Sequence, residues 1–222
     1  MGLPRRQPRH WLRNSKNLIL SGNYHVILGS RDPAKGTESV KALQSLPDVK
    51  GTASWVQIDV TDDKSVDAAA AQIASQYGKL DILVNNAGIV SLASPPSREA
   101  LRQILDVNVV GALSTTEALL DLLRKSSEKR LVFPLGTEYR TSKAAVNMLM
   151  VMYQARLKDE RFKVLGADPG LCATNFTGNP ESLRNRGASE PEDGGRRVAV
   201  VVKGEKDADV GRVLDDYGVS PF

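Results

Sequence analysis

The chain is poor in the residues that build covalent or metal-held scaffolds. Among its 222 residues there is one cysteine, Cys172, and there are two histidines, His10 and His25. A lone thiol makes neither an internal disulfide nor a cysteine-cluster zinc site, so a disulfide-stapled secreted scaffold is excluded and a reducing compartment is favoured. Two histidines close off most other metal sites, and no metal is expected. No stretch approaches the ~18 apolar residues of a membrane span. Leu18-Ile19-Leu20 runs directly into Ser21-Gly22-Asn23, too short for the apolar core of a signal peptide. Position 6 is Arg6, without the hydroxyl that N-myristoylation of Gly2 requires. The expected location is cytoplasmic, with no membrane partner.

Acidic residues are missing from one end. Residues 1–31 hold six of the 30 basic residues, Arg5, Arg6, Arg9, Arg13, Lys16 and Arg31, and no acid. The other 24 basic residues face all 26 acidic ones, so the net charge of +4 belongs to the N-terminal end. Pro4 and Pro8 would interrupt the amphipathic helix of a mitochondrial presequence. Nucleic-acid binding requires a clustered basic face with base-reading residues, which this segment does not supply, and no nucleic-acid partner is expected.

What is present is a composition of 41% apolar and 25% charged residues, that of a globular chain able to bury one core. From residue 24 onward, short β-branched runs alternate with longer helical patterns. Strands are expected at 24–28, 53–60, 80–84, 131–133 and 162–167. Helices are expected at 37–46, from a Thr61 N-cap to Gly78, at 98–125 with Ser97 as cap, and at 138–158. Strands separated by helices imply βαβ crossovers, hence an α/β fold with a Rossmann-type doubly wound parallel sheet. Residues 1–21 read as an atypical basic segment and 22–222 as a single dinucleotide-binding domain. Residues 177–195, rich in Gly, Pro, Asn and Ser, read as a loop.

In doubly wound folds ligands bind beyond the carboxyl ends of the strands. After the first strand comes Arg31, able to fork onto a ribose 2′-phosphate or simply to stand in a solvated turn. Asp59-Val60 follows the second strand, either bounding an adenine pocket or serving as a helix cap. Asn85-Asn86-Ala87-Gly88 follows the third, where small residues admit a ligand to the backbone, although such turns are common. Asn108 interrupts the apolar run 104–113 and must find partners if buried, as a cap, a core amide or a functional group. Tyr139 and Lys143, four apart, share a helix face, so an ammonium can favour a phenolate; a plain surface pair has the same spacing. Asp168-Pro169-Gly170 makes a turn before Thr174.

Arriving in this order, each at a strand end, these signals resemble the short-chain dehydrogenase/reductase family, from about Gly22 to the C-terminus. The resemblance implies that Tyr139 is the general acid for a carbonyl oxygen, Lys143 lowers its pKa and holds the nicotinamide ribose, and Asn108 supports a proton-relaying water. It places Asp59 and Val60 at the adenine, Asn85, Ala87 and Gly88 along the adenosine ribose, and Pro169, Gly170 and Thr174 around the nicotinamide. Arg31, with no acid at position 30 or 31, matches members that use NADP (NADPH) in preference to NAD. A small-molecule carbonyl or alcohol substrate is implied, as is pairing through the 98–125 and 138–158 helices into a homodimer or homotetramer, although core packing accounts for the same apolar faces. By the same resemblance residues 15–21 end a helix rather than form a hairpin with 24–28, 198–202 lie in a helix begun near Pro191, and 210–214 form the closing strand.

Two family parts are missing. The family opens with a central strand and a T-G-x-x-x-G-x-G turn whose glycines seat the pyrophosphate; residues 4–11 here are Pro4-Arg5-Arg6-Gln7-Pro8-Arg9-His10-Trp11. The first strand is therefore expected to be absent. The family's serine, a donor to the substrate carbonyl, has no counterpart between Phe133 and Tyr139, since Ser126 and Ser127 precede the strand and Thr137 reads as a helix cap. Two expectations follow: an NADP-dependent oxidoreductase, or a catalytically inactive relative or incomplete gene product that binds no cofactor.

Overall fold

The structure is a computed structural model and describes residues 10–22, 24–90, 97–134, 140–174, 179–215 and 218–220, with the backbone alone for 10–14, 134 and 140–143. Helix α1 (His10–Ser21) comes first and is followed by β1 (His25–Ser30), α2 (Pro33–Gln44), β2 (Thr52–Gln57), α3 (Asp63–Tyr77) and β3 (Ile82–Val84). Helix α4 (Arg98–Leu105) passes through a π-helical segment, Asp106–Val110, into α5 (Gly111–Arg124), then β4 (Arg130–Pro134) and α6 (Arg140–Leu157). The remainder is β5 (Lys163–Ala167), α7 (Pro180–Arg184), α8 (Pro191–Val202), β6 (Val213–Asp215) and β7 (Gly218–Val219).

The strands pair in parallel except at the last edge. β1 lies beside β2 with His25 opposite Thr52, while a second group runs β3-β4-β5-β6-β7, antiparallel only between β6 and β7. Both groups share one interior. Side chains alternate along each strand, so Ile27 and Val56 join Leu83, Leu131 and Phe133 against Ile73 of α3 and Leu119 and Leu123 of α5. On the opposite face Leu28 and Ala53 pack with Ile19 of α1 and Leu43 of α2. Leu18 of α1 meets Val198, Val201 and Val202 of α8 over Val132 and Leu165. The expected doubly wound fold is thus present, with helices on both faces. Among the described residues no strand precedes α1; residues 1–9 lie outside them.

Local chemistry moves several expected boundaries. α2 begins at Pro33 rather than 37, because Asp32 accepts from the Ala34 and Lys35 amides and proline suits the first helical turn. The cap of α3 is Asp62, which accepts from the Lys64 amide, and not Thr61, which is engaged by Asp59. Gly78, in the left-handed region at φ 72°, ends α3 as expected. The face of α3 turned to the core carries Val66, Ala69 and Ile73; Tyr77 reaches His25 and Ser54 on β1 and β2 instead. The expected single helix 98–125 is broken by the π segment. The expected loop 177–195 contains α7, whose cap Asn179 accepts from Glu181 and Ser182. Residues 18–21 are helical and 198–202 lie within α8, while the closing strand is the shorter β6.

Candidate active site

At the carboxyl ends of β1 and β2, Arg31 and Asp59 come together, with a guanidinium nitrogen 4.0 Å from a carboxylate oxygen and side chains 31% and 36% exposed. Asp59 is fixed from its other side: its Oδ1 accepts from the Thr61 amide at 3.1 Å and hydroxyl at 2.8 Å, and its own N–H donates to Ser65 Oγ at 2.9 Å. A cation and a carboxylate are therefore held at neighbouring strand ends. Val60 stands against the start of α5, where a Cβ at Gly111 would lie 2.8 Å from Val60 Cγ2 and 3.0 Å from its carbonyl oxygen. Only glycine lets helix and loop approach this closely.

Beyond β3, the Asn85 amide N–H donates to the Val132 carbonyl and its Nδ2 donates to Thr116 Oγ1 at 2.8 Å. Thr116, wholly buried, in turn donates a hydrogen bond from its hydroxyl to the Ala112 carbonyl. Ala87 and Gly88 lead to Ile89, whose N–H donates to Asn108 Oδ1 at 2.8 Å and whose carbonyl accepts from Asn108 Nδ2 at 3.1 Å. Asn108 is 3% exposed and sits in the middle of the π segment. A π turn inserts one residue into a helix and re-aims the side chains around it. Gly88, Ile89 and Asn108 thus form one assembly, with Asn108 Oδ1 3.4 Å from where a Gly88 Cβ would be, while Asn85 is anchored to Thr116 on α5.

Beyond β5, the Asp168 N–H donates to the Leu214 carbonyl and Asp168 Oδ1 accepts from the Gly170 amide at 2.8 Å. Gly170 has φ 71°, a conformation that favours glycine, and a Cβ there would meet Arg197 Nη1 at 2.6 Å. Arg197 on α8 donates to the Pro169 carbonyl at 2.5 Å and to Ser189 Oγ at 3.2 Å. Cys172 Sγ donates to the same Pro169 carbonyl, and burial pushes its thiol pKa up, so it is not poised as a nucleophile. Ladder-type bonds from Ser189 to Leu171 and from Ala173 to Ser189 tie the turn to the start of α8. Thr174 is half-buried at the end of this turn.

Tyr139 and Thr137 lie outside the described residues. Lys143 is on α6 by its backbone, and its side chain lies outside them. His10 and Trp11, expected in place of the glycine turn, belong to α1. Ser126 precedes β4 and its hydroxyl donates to Asp81, away from the strand ends. Three residues that shape the site escaped sequence reasoning: Thr116, Gly111 and Arg197. A glycine three residues after Asn108 in an apolar helix was a readable signal of close packing. Arg197 acts across 28 residues and left no local one. Among the described residues no group of His, Cys, Asp and Glu could hold a metal.

Comparison with known proteins gives one consistent picture. Residues 14–184 match the family model described as short chain dehydrogenase. The short-chain dehydrogenase/reductase tropE of Talaromyces stipitatus is 36% identical, covering 90% of this chain and 88% of that protein. The short-chain dehydrogenase anuI of Penicillium roqueforti is 30% identical over 91% of this chain and 88% of its own length. Among solved structures, the RhlG/NADP active-site complex of Pseudomonas aeruginosa superimposes with a TM-score of 0.78 at 22% identity, over 93% of this chain and 90% of that one. An alcohol dehydrogenase of Thermococcus sibiricus complexed with 5-hydroxy-NADP gives 0.72 at 22% identity, over 86% and 84%.

Proposed function

Because the chain belongs to the short-chain dehydrogenase/reductase family of oxidoreductases, we propose that it transfers hydride between NADP and a small-molecule carbonyl or alcohol. The observation that carries this is the convergence at the carboxyl ends of parallel strands: Arg31, Asp59 and Val60 after β1 and β2, Asn85, Ala87, Gly88 and Asn108 around the end of β3, and Pro169, Gly170 and Thr174 after β5. These residues suit the two ends of a nicotinamide dinucleotide. Arg31, half in water, offers a bidentate cation to a 2′-phosphate, and no acid at position 30 or 31 opposes it, which favours NADP over NAD. Asp59 and Val60 would bound the adenine, Asn85, Ala87 and Gly88 the adenosine ribose, and the 169–174 turn the nicotinamide. The middle of such a ligand is not matched, since the chain has no glycine turn for a pyrophosphate. Cofactor affinity is therefore expected to be weaker than an intact phosphate turn would give.

Bound NADPH would supply the hydride. Tyr139 would donate its phenolic proton to the substrate carbonyl oxygen, and the Lys143 ammonium four residues on in sequence would favour the phenolate that this leaves. Asn108 holds the 85–89 loop and would support a proton-relaying water beside Lys143. No serine stands between β4 and Tyr139 to donate a second hydrogen bond to the carbonyl oxygen. Loss of one such donor costs about 10²–10³ in rate, so slow turnover is expected.

The alternative, an inactive relative or incomplete gene product, draws no support from the relatives, which carry dehydrogenase or reductase names. Residues 22–222, with α1 packed onto them through the buried Leu18 and Ile19, would act as one dinucleotide-binding unit in the cytoplasm; no helix among the described residues is long and apolar enough to cross a membrane. Met148, Val151 and Met152 on α6 and Leu113 on α5 are exposed and would meet a second copy in a homodimer or homotetramer. Titration of the purified protein with NADPH, followed by nicotinamide fluorescence, tests the proposal. Saturable binding, weakened by Arg31→Ala more for NADPH than for NADH, is expected; no saturation below millimolar NADPH would overturn it.

A further inference from the structure

The turn that follows β5 is held in two halves by two different means. Its second half is fixed by backbone: the Ser189 N–H donates to the Leu171 carbonyl, and the Ala173 N–H to the Ser189 carbonyl. Its first half, Pro169-Gly170, has no such ladder among the described residues. Proline has no N–H to give, and the Gly170 N–H is spent inside the turn on Asp168 Oδ1 at 2.8 Å. What reaches this half from α8 is a side chain. Arg197 Nη1 donates to the Pro169 carbonyl at 2.5 Å, and Nη2 of the same guanidinium donates to Ser189 Oγ at 3.2 Å. One planar group therefore joins the Pro169 peptide to the residue that ladders the other half.

The guanidinium is closely fitted on one side and open on the other. A Cβ at Gly170 would stand 2.6 Å from Nη1, and a Cβ at Gly194, three residues before Arg197 on α8, would stand 3.2 Å from the Pro169 carbonyl oxygen. Turn and helix thus approach through two glycines, which brings that carbonyl within reach of the cation. On its other side Arg197 borders a cavity of about 130 Å³, lined also by Arg196, Val200, Val201, Leu214 and Asp215. A side chain beside empty volume is not wedged by packing. Its place is set by its hydrogen bonds, which the positive charge strengthens.

We infer that Arg197 is a positioning residue for the nicotinamide end of the cofactor. It acts through the turn: its guanidinium holds the Pro169-Gly170 peptide in the place that receives the nicotinamide, and so presents the ring to the substrate in one orientation. The inference rests on the hydride-transfer proposal, which puts the nicotinamide at residues 169–174. Released from Arg197, the first half of the turn occupies the binding-competent position only part of the time, and the apparent affinity falls by that fraction. Loss of a hydrogen bond to a charged group corresponds to about tenfold in a binding constant. A ring held less firmly also loses the orientation that hydride transfer needs.

NADPH is the probe, titrated into the wild-type chain, Arg197→Met, Arg197→Lys and, as a change at the opposite end of the ligand, Arg31→Ala. Two quantities are read from the dihydronicotinamide fluorescence. The Kd reports the whole ligand, and the emission per bound NADPH reports how firmly the ring is held. Arg197→Met is expected to raise the Kd about tenfold and to lower the emission per bound NADPH toward that of the free cofactor, with Arg197→Lys recovering part of both. Arg31→Ala is expected to raise the Kd and leave that emission unchanged. The inference is overturned by an Arg197→Met protein that binds like wild type. It is equally overturned if the Kd rises while each bound NADPH emits as in wild type, as a merely structural loss would give. Both outcomes leave the hydride-transfer proposal standing, whereas a wild-type chain that does not saturate with NADPH overturns that proposal and this inference together.

Discussion

Asn108 is a polar residue buried in an apolar helical run, and both ends of its amide serve the Ile89 backbone. Asparagine is a poor helix former because its side chain competes for backbone groups; here it bonds the backbone of another segment. The sequence exposes the conflict, a polar group in an apolar run, but not its resolution, because the partner lies 19 residues away. Asn108→Ala would leave the Ile89 N–H and C=O without these bonds. Stability should fall by about 1–3 kcal/mol, the cost of stranding a buried polar group, read as a lowered urea midpoint. Exchange of the Ile89 amide should accelerate by more than global unfolding alone would give. An unchanged midpoint together with unchanged exchange at Ile89 would show that the amide does not hold this loop.

At the scale of elements, local signals and distant ones part company. Strands and helices were readable where periodicity and caps are local, as at Gly78 and Ser97. Boundaries shifted where two candidate caps stood side by side, as with Thr61 and Asp62, or where Asp32-Pro33 starts a helix before its apolar pattern begins. The turn 168–174 shows what sequence reasoning misses. Its Asp-Pro-Gly sequence announces a bend, yet α8 clamps it through Arg197 on the Pro169 carbonyl and on Ser189. Arg197→Met would remove both donors and keep most of the apolar stem. Exchange over residues 170–174 and at Ser189 is expected to rise about tenfold, with Arg197→Lys recovering part of the protection. Equal exchange in all three proteins would mean that the ladder bonds to Ser189 hold the turn by themselves. This readout needs no bound cofactor.

At the scale of the whole molecule, the doubly wound architecture was legible because alternating strand and helix patterns leave few other packings. That β1 and β3 are not joined among the described residues was not legible, since pairing is decided between residues far apart in sequence. The same distance hides the charge cluster that ties the C-terminal third to the sheet. Asp207, in the turn after α8, accepts from Arg130 on β4 and from Lys163 on β5, each at 2.5 Å. The Arg130 side chain is 3% exposed and also donates to the Val201 carbonyl. Hydrogen bonds from Arg130 and then Lys163, working against burial, hold the Asp207 pKa below the usual 3.8. Since the folded carboxyl gives up its proton more readily than the unfolded one, its contribution to stability is fully present above the unfolded pKa. That contribution is lost as pH falls through the folded value. Asp207→Asn leaves a buried guanidinium facing a neutral amide and should cost about 3 kcal/mol at pH 7, the low end for breaking a buried pair. Urea midpoints measured between pH 7 and pH 3 should therefore converge, with the wild-type protein losing its advantage below about pH 4. A gap between the two proteins that stays constant over that range would mean that the Asp207 charge does not stabilise the fold, and that the cost of the substitution lies in packing.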